Sequence, residues 1–234
     1  MPSLNKAIAL LALSLTLSAH AGVYDDLMVA AANNETEKVL ELLGKGMDVN
    51  TTDRDGTNLT MIAARTNNHQ LLEFLLRNRA SLMKRNRYGD DALMLAAYNG
   101  DLEAVKMLLL VGAMIDHDGW TALHYAAYQG HVEVAAYLLD KGAEVNALAA
   151  NRQTALMMAA RHGYGEVVTL LKQKGADLGL KDPQGRTAQD WAKETGNTLL
   201  VEQLTPPPAP PKPVVEPVPE VPVAPVESRE ITIR

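Results

Sequence analysis

The sequence predicts an all-α solenoid of about six helix–turn–helix units. Three observations predict it. Five segments ending in paired alanines recur along the chain: LMVAA (27–31), TMIAA (60–64), LMLAA (93–97), LHYAA (123–127) and LMMAA (156–160), with a degenerate sixth, QDWAK (189–193). The steps between their last residues are 33, 33, 30, 33 and 33. Each segment is followed by a Gly or Asn, then by a second, Leu-rich stretch, and such a period marks stacked modules that bury their faces against one another.

Met1 to Ala21 read MPSLNKAIALLALSLTLSAHA, with Lys6 as a positive start, an apolar run to Leu17 and a small-x-small close at Ala19-His20-Ala21. This pattern predicts a secretory signal peptide over 1–21, because the run falls short of the roughly 20 apolar residues a spanning helix needs. The mature chain is expected to begin near Gly22. No other stretch is long and apolar enough to span a membrane.

Each unit from there has the same interior. A short helix carries the alanines, whose small side chains let neighbouring helices approach closely. Gly100, Gly130, Gly163 and Gly196 break it in four units, and Asn34 and Asn67 in the first two. These residue types tolerate positive φ better than others. A second helix follows, as in Leu102 to Leu110 or Val132 to Leu139, and its leucines fill the space between units. A Gly-Ala turn closes the unit at Gly112-Ala113, Gly142-Ala143 and Gly175-Ala176.

Asp118-Gly119-Trp120-Thr121-Ala122-Leu123-His124-Tyr125-Ala126-Ala127 resembles the D-G-x-T-P-L-H-x-A-A signature of the ankyrin-repeat family. Gly130-His131-Val132-Glu133-Val134 and Lys141 to Ala147 extend the match. The resemblance covers residues 22–204 and implies L-shaped units, each a β-turn finger and two antiparallel helices. It also implies a partner protein bound on the concave side, by finger tips and first helices. Departures from the pattern carry expectations of their own. Arg152 stands at a finger glycine, which suggests a distorted tip. The three-residue deletion between Ile115 and Asp116 shortens one finger. Gln189, Asp190 and Lys193 give the last unit a polar face, as a terminal module needs.

Met28, Met61, Met94 and Met157 occupy the place of the signature histidine, which stands once, at His124. Flexible apolar packing is the expected role. The rival reading is a Cu(I)-handling thioether strip, but matching positions about one helix-packing distance (~10 Å) apart cannot share an ion. His69, His131 and His162 fall at or beside the inter-helix breaks. No i, i+4 histidine pair, nucleophile elbow or phosphate loop is found, so no catalytic residue, metal or cofactor is expected. The chain has no cysteine among its 234 residues, which excludes disulfides and thiolate chemistry. Together with export, this fits a bacterial periplasm, with secretion as the alternative. A net charge of −6 excludes a general nucleic-acid binder.

The residues before each Thr-Ala-Leu core are expected to point outward: Thr57, Asp90, Trp120, Gln153 and Arg186. So are those after the alanines, Arg65, Tyr98, Tyr128 and Arg161-His162. Trp120, Tyr98 and Tyr128 should cluster, flanked by Arg65 and Arg161, with Tyr88 and Arg87 from a finger. Such residues are frequent interface anchors. Tyr125 and Trp191 are assigned to the core.

From Thr205 the composition changes, and ten of twelve prolines lie between Pro206 and Pro225. A segment this rich in proline is expected to form neither helix nor sheet and to favour extended polyproline II, so 205–234 reads as a disordered, Pro-rich tail. The expected whole is a non-catalytic, exported, monomeric module that binds another protein. A metal- or redox-handling envelope protein, or a toxin-immunity or inhibitor protein, is the alternative.

Overall fold

A computed structural model describes residue 22 and residues 24–206; the signal peptide expected over 1–21 and the Pro-rich segment from 207 lie outside the described residues. Among the described residues twelve helices follow one another: α1 (24–32), α2 (Thr36–Gly44), α3 (Leu59–Arg65), α4 (His69–Arg77), α5 (Ala92–Tyr98), α6 (Leu102–Leu110), α7 (Ala122–Gln129), α8 (Val132–Asp140), α9 (Ala155–His162), α10 (Gly165–Gln173), α11 (Ala188–Glu194) and α12 (Thr198–Gln203). Among the described residues no strand forms, and one isolated bridge joins Thr52 to Asn58. The all-α repeat solenoid is therefore the fold.

Helices α3, α5, α7, α9 and α11 pack each against the next, and α2, α4, α6, α8 and α10 form a second row with sparser contacts. The alanine pairs explain the closeness of the first row. Ala63-Ala64, Ala96-Ala97, Ala126-Ala127 and Ala159-Ala160 are all fully buried, so adjacent backbones meet across methyl groups. Leu72, Val105, Ala135 and Val168 fill the second row from inside. Met61, Met94 and Met157 are buried as packing residues, and Met28 is partly buried.

One cap recurs at the start of every first helix from α3 on. Asn58, Asp91, Thr121, Thr154 and Thr187 each accept the backbone N–H three residues later. Such caps stabilise a helix by about 1 kcal/mol each, and these lie inside the stack, where the N–H would otherwise go unpaired. His124 adds to its cap. Thr121 N–H donates to its Nδ1 at 3.1 Å, and its Nε2 meets Ala147 O at 3.0 Å. The buried imidazole thus joins the helix start to the next finger. The inter-helix residues adopt left-handed backbone as expected, including Asn34 at φ 62° and Asn67 at φ 53°.

Two expectations about fingers are corrected or refined. Arg152 does not distort its tip. It takes φ 58° where Gly56, Gly89, Gly119 and Gly185 take 78° to 92°, and the Ala149 N–H still closes onto Gln153 O at 2.9 Å. That bond matches those from Asp53 to Thr57, Asn86 to Asp90 and Asp182 to Arg186, so the turn is kept and the misfit is borne as backbone strain. The shortened finger, by contrast, lacks the closing bond between Asp116 and Trp120. Asp116 instead accepts the Glu144 N–H at 2.9 Å. The same interfinger service is done by Asn50 for Ser81 and by Asn146 for Asp177. One aspartate has taken over the interfinger role, and the finger's own closure is lost.

Candidate functional site

Aromatic rings run unbroken along one side of three units. The Tyr98 ring, at the end of α5, stands edge-on to Tyr125 of α7 with centroids 5.7 Å apart. Trp120 tilts over Tyr125 at 5.1 Å and meets Tyr128 edge-on at 6.2 Å. Tyr128 then contacts His162 of α9 at 4.4 Å, and His162 stacks on Tyr164 at 6.0 Å. The expected grouping of Trp120, Tyr98 and Tyr128 therefore forms.

The register explains the grouping. Trp120 precedes its helix by the same step as Thr57, Asp90, Gln153 and Arg186 precede theirs. The residue five positions on is Ile62, Leu95, Tyr125, Met158 or Trp191. The first member of each pair can lie over the second: Trp120 covers Tyr125, and the Arg186 guanidinium lies 3.6 Å over the Trp191 ring. Arg161, from the unit before, covers the same Trp191 ring at 4.7 Å.

A cleft of about 370 Å³ opens beside the rings, lined by Tyr98, Trp120, Tyr125, Tyr128, Asn151, Gln153, Met158, Arg161 and His162. Its size and its mixture of aromatic walls with a few polar groups suit a ligand side chain or an extended segment. Burial pushes the His162 imidazole below its ordinary pKa, and the Arg161 charge adds to this. Burial likewise raises the Tyr125 hydroxyl, helped by its bond to the Asp90 carboxylate. Both side chains are neutral at pH 7, which leaves the Arg161 guanidinium as the charge at the cleft.

Several expected site residues lie elsewhere or do other work. Tyr125 is not a core residue: it is half-buried and lines the cleft. Trp191 is buried, as expected. Thr57 and Gln153 do not point outward. Thr57 is 4% exposed because its N–H and C=O both close its finger onto Asp53. Gln153, 9% exposed, is held by Asn151 and lies in the floor of the cleft. Trp120 itself is half-buried rather than open to solvent. Asp90 is engaged by Tyr125, and Arg186 by Asp182 at 2.9 Å. Burial raises the Asp182 carboxyl, but donors from the Arg186 backbone and guanidinium and from Gln184 outweigh it and hold it below the usual range. Arg87 and Tyr88 do not flank the rings. Arg87 pairs with Asp55 of the preceding finger at 2.9 Å and stacks on Tyr88. Arg65 is exposed and outside the cleft lining.

Sequence reasoning missed Asn151 and Met158 as lining residues, and Tyr164 as the end of the ring run. It also missed a buried pair at the shortened finger. His117 Nε2 lies 2.7 Å from Asp91 Oδ2, both side chains nearly covered, at angles that do not make a hydrogen bond. Burial raises the Asp91 carboxyl, while the Met94 N–H and His117 act against that. Among the described residues, no group of three or more His, Cys, Asp or Glu is arranged to hold a metal ion. Nor is any described helix long and apolar enough to cross a membrane.

Known proteins match this arrangement. The family model for ankyrin repeats (3 copies) matches residues 27–118, 79–149, 109–182 and 144–210. An ankyrin repeat protein of fowlpox virus (strain NVSL) is 39% identical over 127 residues, which cover 51% of this chain and 37% of that protein. Transient receptor potential cation channel subfamily A member 1 of Homo sapiens is 31% identical over 129 residues, 50% of this chain and 11% of the channel subunit. Protein phosphatase 1 regulatory subunit 27 of Homo sapiens is 38% identical over 81 residues, 33% of this chain and 53% of that subunit. The matched stretches thus span little more than half of these relatives at most. With the repeat period and the recurrent cap beside a family match that covers 27–210, the chain belongs to the ankyrin-repeat family of protein-interaction modules.

Proposed function

We propose that the chain is a non-catalytic recognition module, exported by its leader, that holds another protein against the ring-lined cleft between α5, α7 and α9. The observation that carries this reading is the cleft itself: four aromatic side chains from three elements converge on one concavity beside an arginine. Trp, Tyr and Arg supply large contact area at low ordering cost, and truncated anchors of this kind often cost 2 kcal/mol or more in binding. Neighbouring units hold the rings in place, so little freedom is lost when a partner arrives.

In this reading Trp120, Tyr128 and Tyr98 are the anchors. Arg161 selects for an acidic or carbonyl-rich contact, and Gln153 offers its amide from the floor. Arg65, Arg87, Tyr88, Asp90 and Arg186 lie away from the contact or support it from within the fold. The protein acts as a monomer in the bacterial periplasm, the compartment that suits an exported chain without cysteine.

The test is capture from the native envelope by the mature chain, with Trp120→Ala and Arg161→Ala beside wild type and each variant's folded fraction measured. Loss of the captured protein in both variants, at equal folded protein, is expected. Retention of it in both would sink the reading. N-terminal sequencing of the chain from a periplasmic fraction checks the location, with a start at Gly22 expected.

A further inference from the structure

The cleft offers flat rings beside a lone cation, and the chain itself carries a segment of matching chemistry. We propose that the Pro-rich segment 206–225 folds back into the cleft between α7 and α9, so that an outside partner must displace it. This rests on reading the cleft as a recognition surface.

Ring geometry comes first. Trp120 lies 5.1 Å from Tyr125 and 6.2 Å from Tyr128, centroid to centroid. Rings this close admit no cation between them. They present a continuous aromatic wall instead, the surface on which Pro-rich strands dock. Such a strand holds its carbonyls outward without internal hydrogen bonds, and the Gln153 amide and the Arg161 guanidinium supply donors beside the wall.

Charge agrees. Among the described residues Arg161 makes no ion pair. The segment PPPAPPKPVVEPVPEVPVAP carries two carboxylates, Glu216 and Glu220, against one cation, Lys212.

The point of departure agrees as well. Gln189 donates to Thr205 Oγ1 at 2.8 Å, which fixes the end of the last unit beside the start of α11. Two residues beyond Gln189, Trp191 lies under Arg161 at 4.7 Å, and Arg161 borders the cleft. Exit and cleft are thus separated by about two helix-packing intervals, roughly 20 Å. An extended strand gains about 3.1 Å per residue, so about seven residues bridge the gap. The remainder of the segment, with both glutamates, arrives at the rings. A tethered segment so near its site is present at about millimolar effective concentration, which favours its own cleft over that of a second copy.

The chain has no cysteine, so Val218→Cys gives the mature, full-length protein a single position for a nitroxide label. The indole N–H resonance of Trp120 is then followed by NMR. Docking predicts that this resonance loses most of its intensity and regains it when the nitroxide is reduced. Arg161→Glu, and separately Glu216→Lys with Glu220→Lys, should restore most of it; the tail substitutions leave the repeats untouched. Broadening that fades smoothly with distance from Thr205 and ignores both charge changes overturns the proposal. So does broadening that appears as strongly in mixtures in which label and isotope sit on different chains, which assigns the site to a second copy. If docking fails while Trp120→Ala still abolishes capture, the recognition reading stands without the tail. If docking holds and capture ignores Trp120, that reading falls alone.

Discussion

The Tyr125 hydroxyl donates to Asp90 Oδ1 at 2.6 Å, joining the first helix of one unit to the finger of the unit before it. Asp90 is itself fixed, since its N–H donates to Asn86 Oδ1 at 3.0 Å within the same finger. The contact therefore ties two rigid pieces together rather than two loose side chains.

Tyr125→Phe removes the donor and leaves the carboxylate without it. A hydrogen bond to a charged group contributes about 1.5–3 kcal/mol, and half-burial places this one near the lower end. The urea midpoint should fall accordingly at neutral pH. Burial and the Asp90 carboxylate raise the phenol's pKa in the folded chain. The contact's stabilisation is therefore complete below pH ~10, the unfolded value, and is lost as pH rises beyond it. Wild type should lose stability faster than the variant above that pH; equal slopes would exclude the contact.

His124 gives the opposite dependence. Its Nδ1 accepts the Thr121 N–H at 3.1 Å, so the proton sits on Nε2, facing Ala147 O. Burial holds the imidazole below its ordinary pKa. The unfolded ring takes up a proton near pH 6.5, before the folded ring does, so this contribution is full above that pH and declines as pH falls. Met61, Met94 and Met157 show that Met fits the position. His124→Met should flatten the loss of stability between about pH 7 and pH 5, as read from thermal melts.

Gly130 and Gly163 share φ 80°, but differ in what a side chain would meet. A Cβ at Gly130 would lie 2.6 Å from the Tyr164 ring, whereas at Gly163 nothing stands closer than 3.5 Å. Both alanine variants bear the left-handed penalty of about 1 kcal/mol. Gly130→Ala should cost about 1 kcal/mol more, since it must also displace a packed ring. Equal melting temperatures for the two variants would show that Tyr164 moves freely.

Arg152→Gly should stabilise. The left-handed tip costs a non-glycine residue about 1–2 kcal/mol, and the extra freedom of glycine in the unfolded chain returns about 0.5–1 of that. A net gain of about 0.5 kcal/mol is expected in chemical denaturation. A loss would mean that the Arg152 side chain stabilises the finger by more than its backbone strains it.

The stack was legible because its causes are local and repeated. Period, alanine pairs and left-handed breaks each recur at the same step, and Asn34 and Asn67 were read as glycine substitutes on steric grounds alone. The ring cluster was legible in part. Trp120, Tyr98 and Tyr128 share a face by register, but the inward assignment of Tyr125 ignored its hydroxyl, which needs a partner and finds Asp90 one unit away. Gln153 and Thr57 were misread for a related reason, because a finger closes on its last residue and buries it. The pairing of His117 with Asp91 depends on how a shortened finger settles, which no repeat position specifies.

The Asn99 amide nitrogen faces three oxygens of the preceding unit: Ala64 O at 3.3 Å, Arg65 O at 2.7 Å and Asn67 Oδ1 at 3.0 Å. The next residue is Gly100, and asparagine side chains are among the thermolabile ones. Hydrolysis of this one amide would set a carboxylate against three acceptors and turn a seam of attractions into repulsions. Loss of that single nitrogen would loosen the joint between the second and third units from the inside.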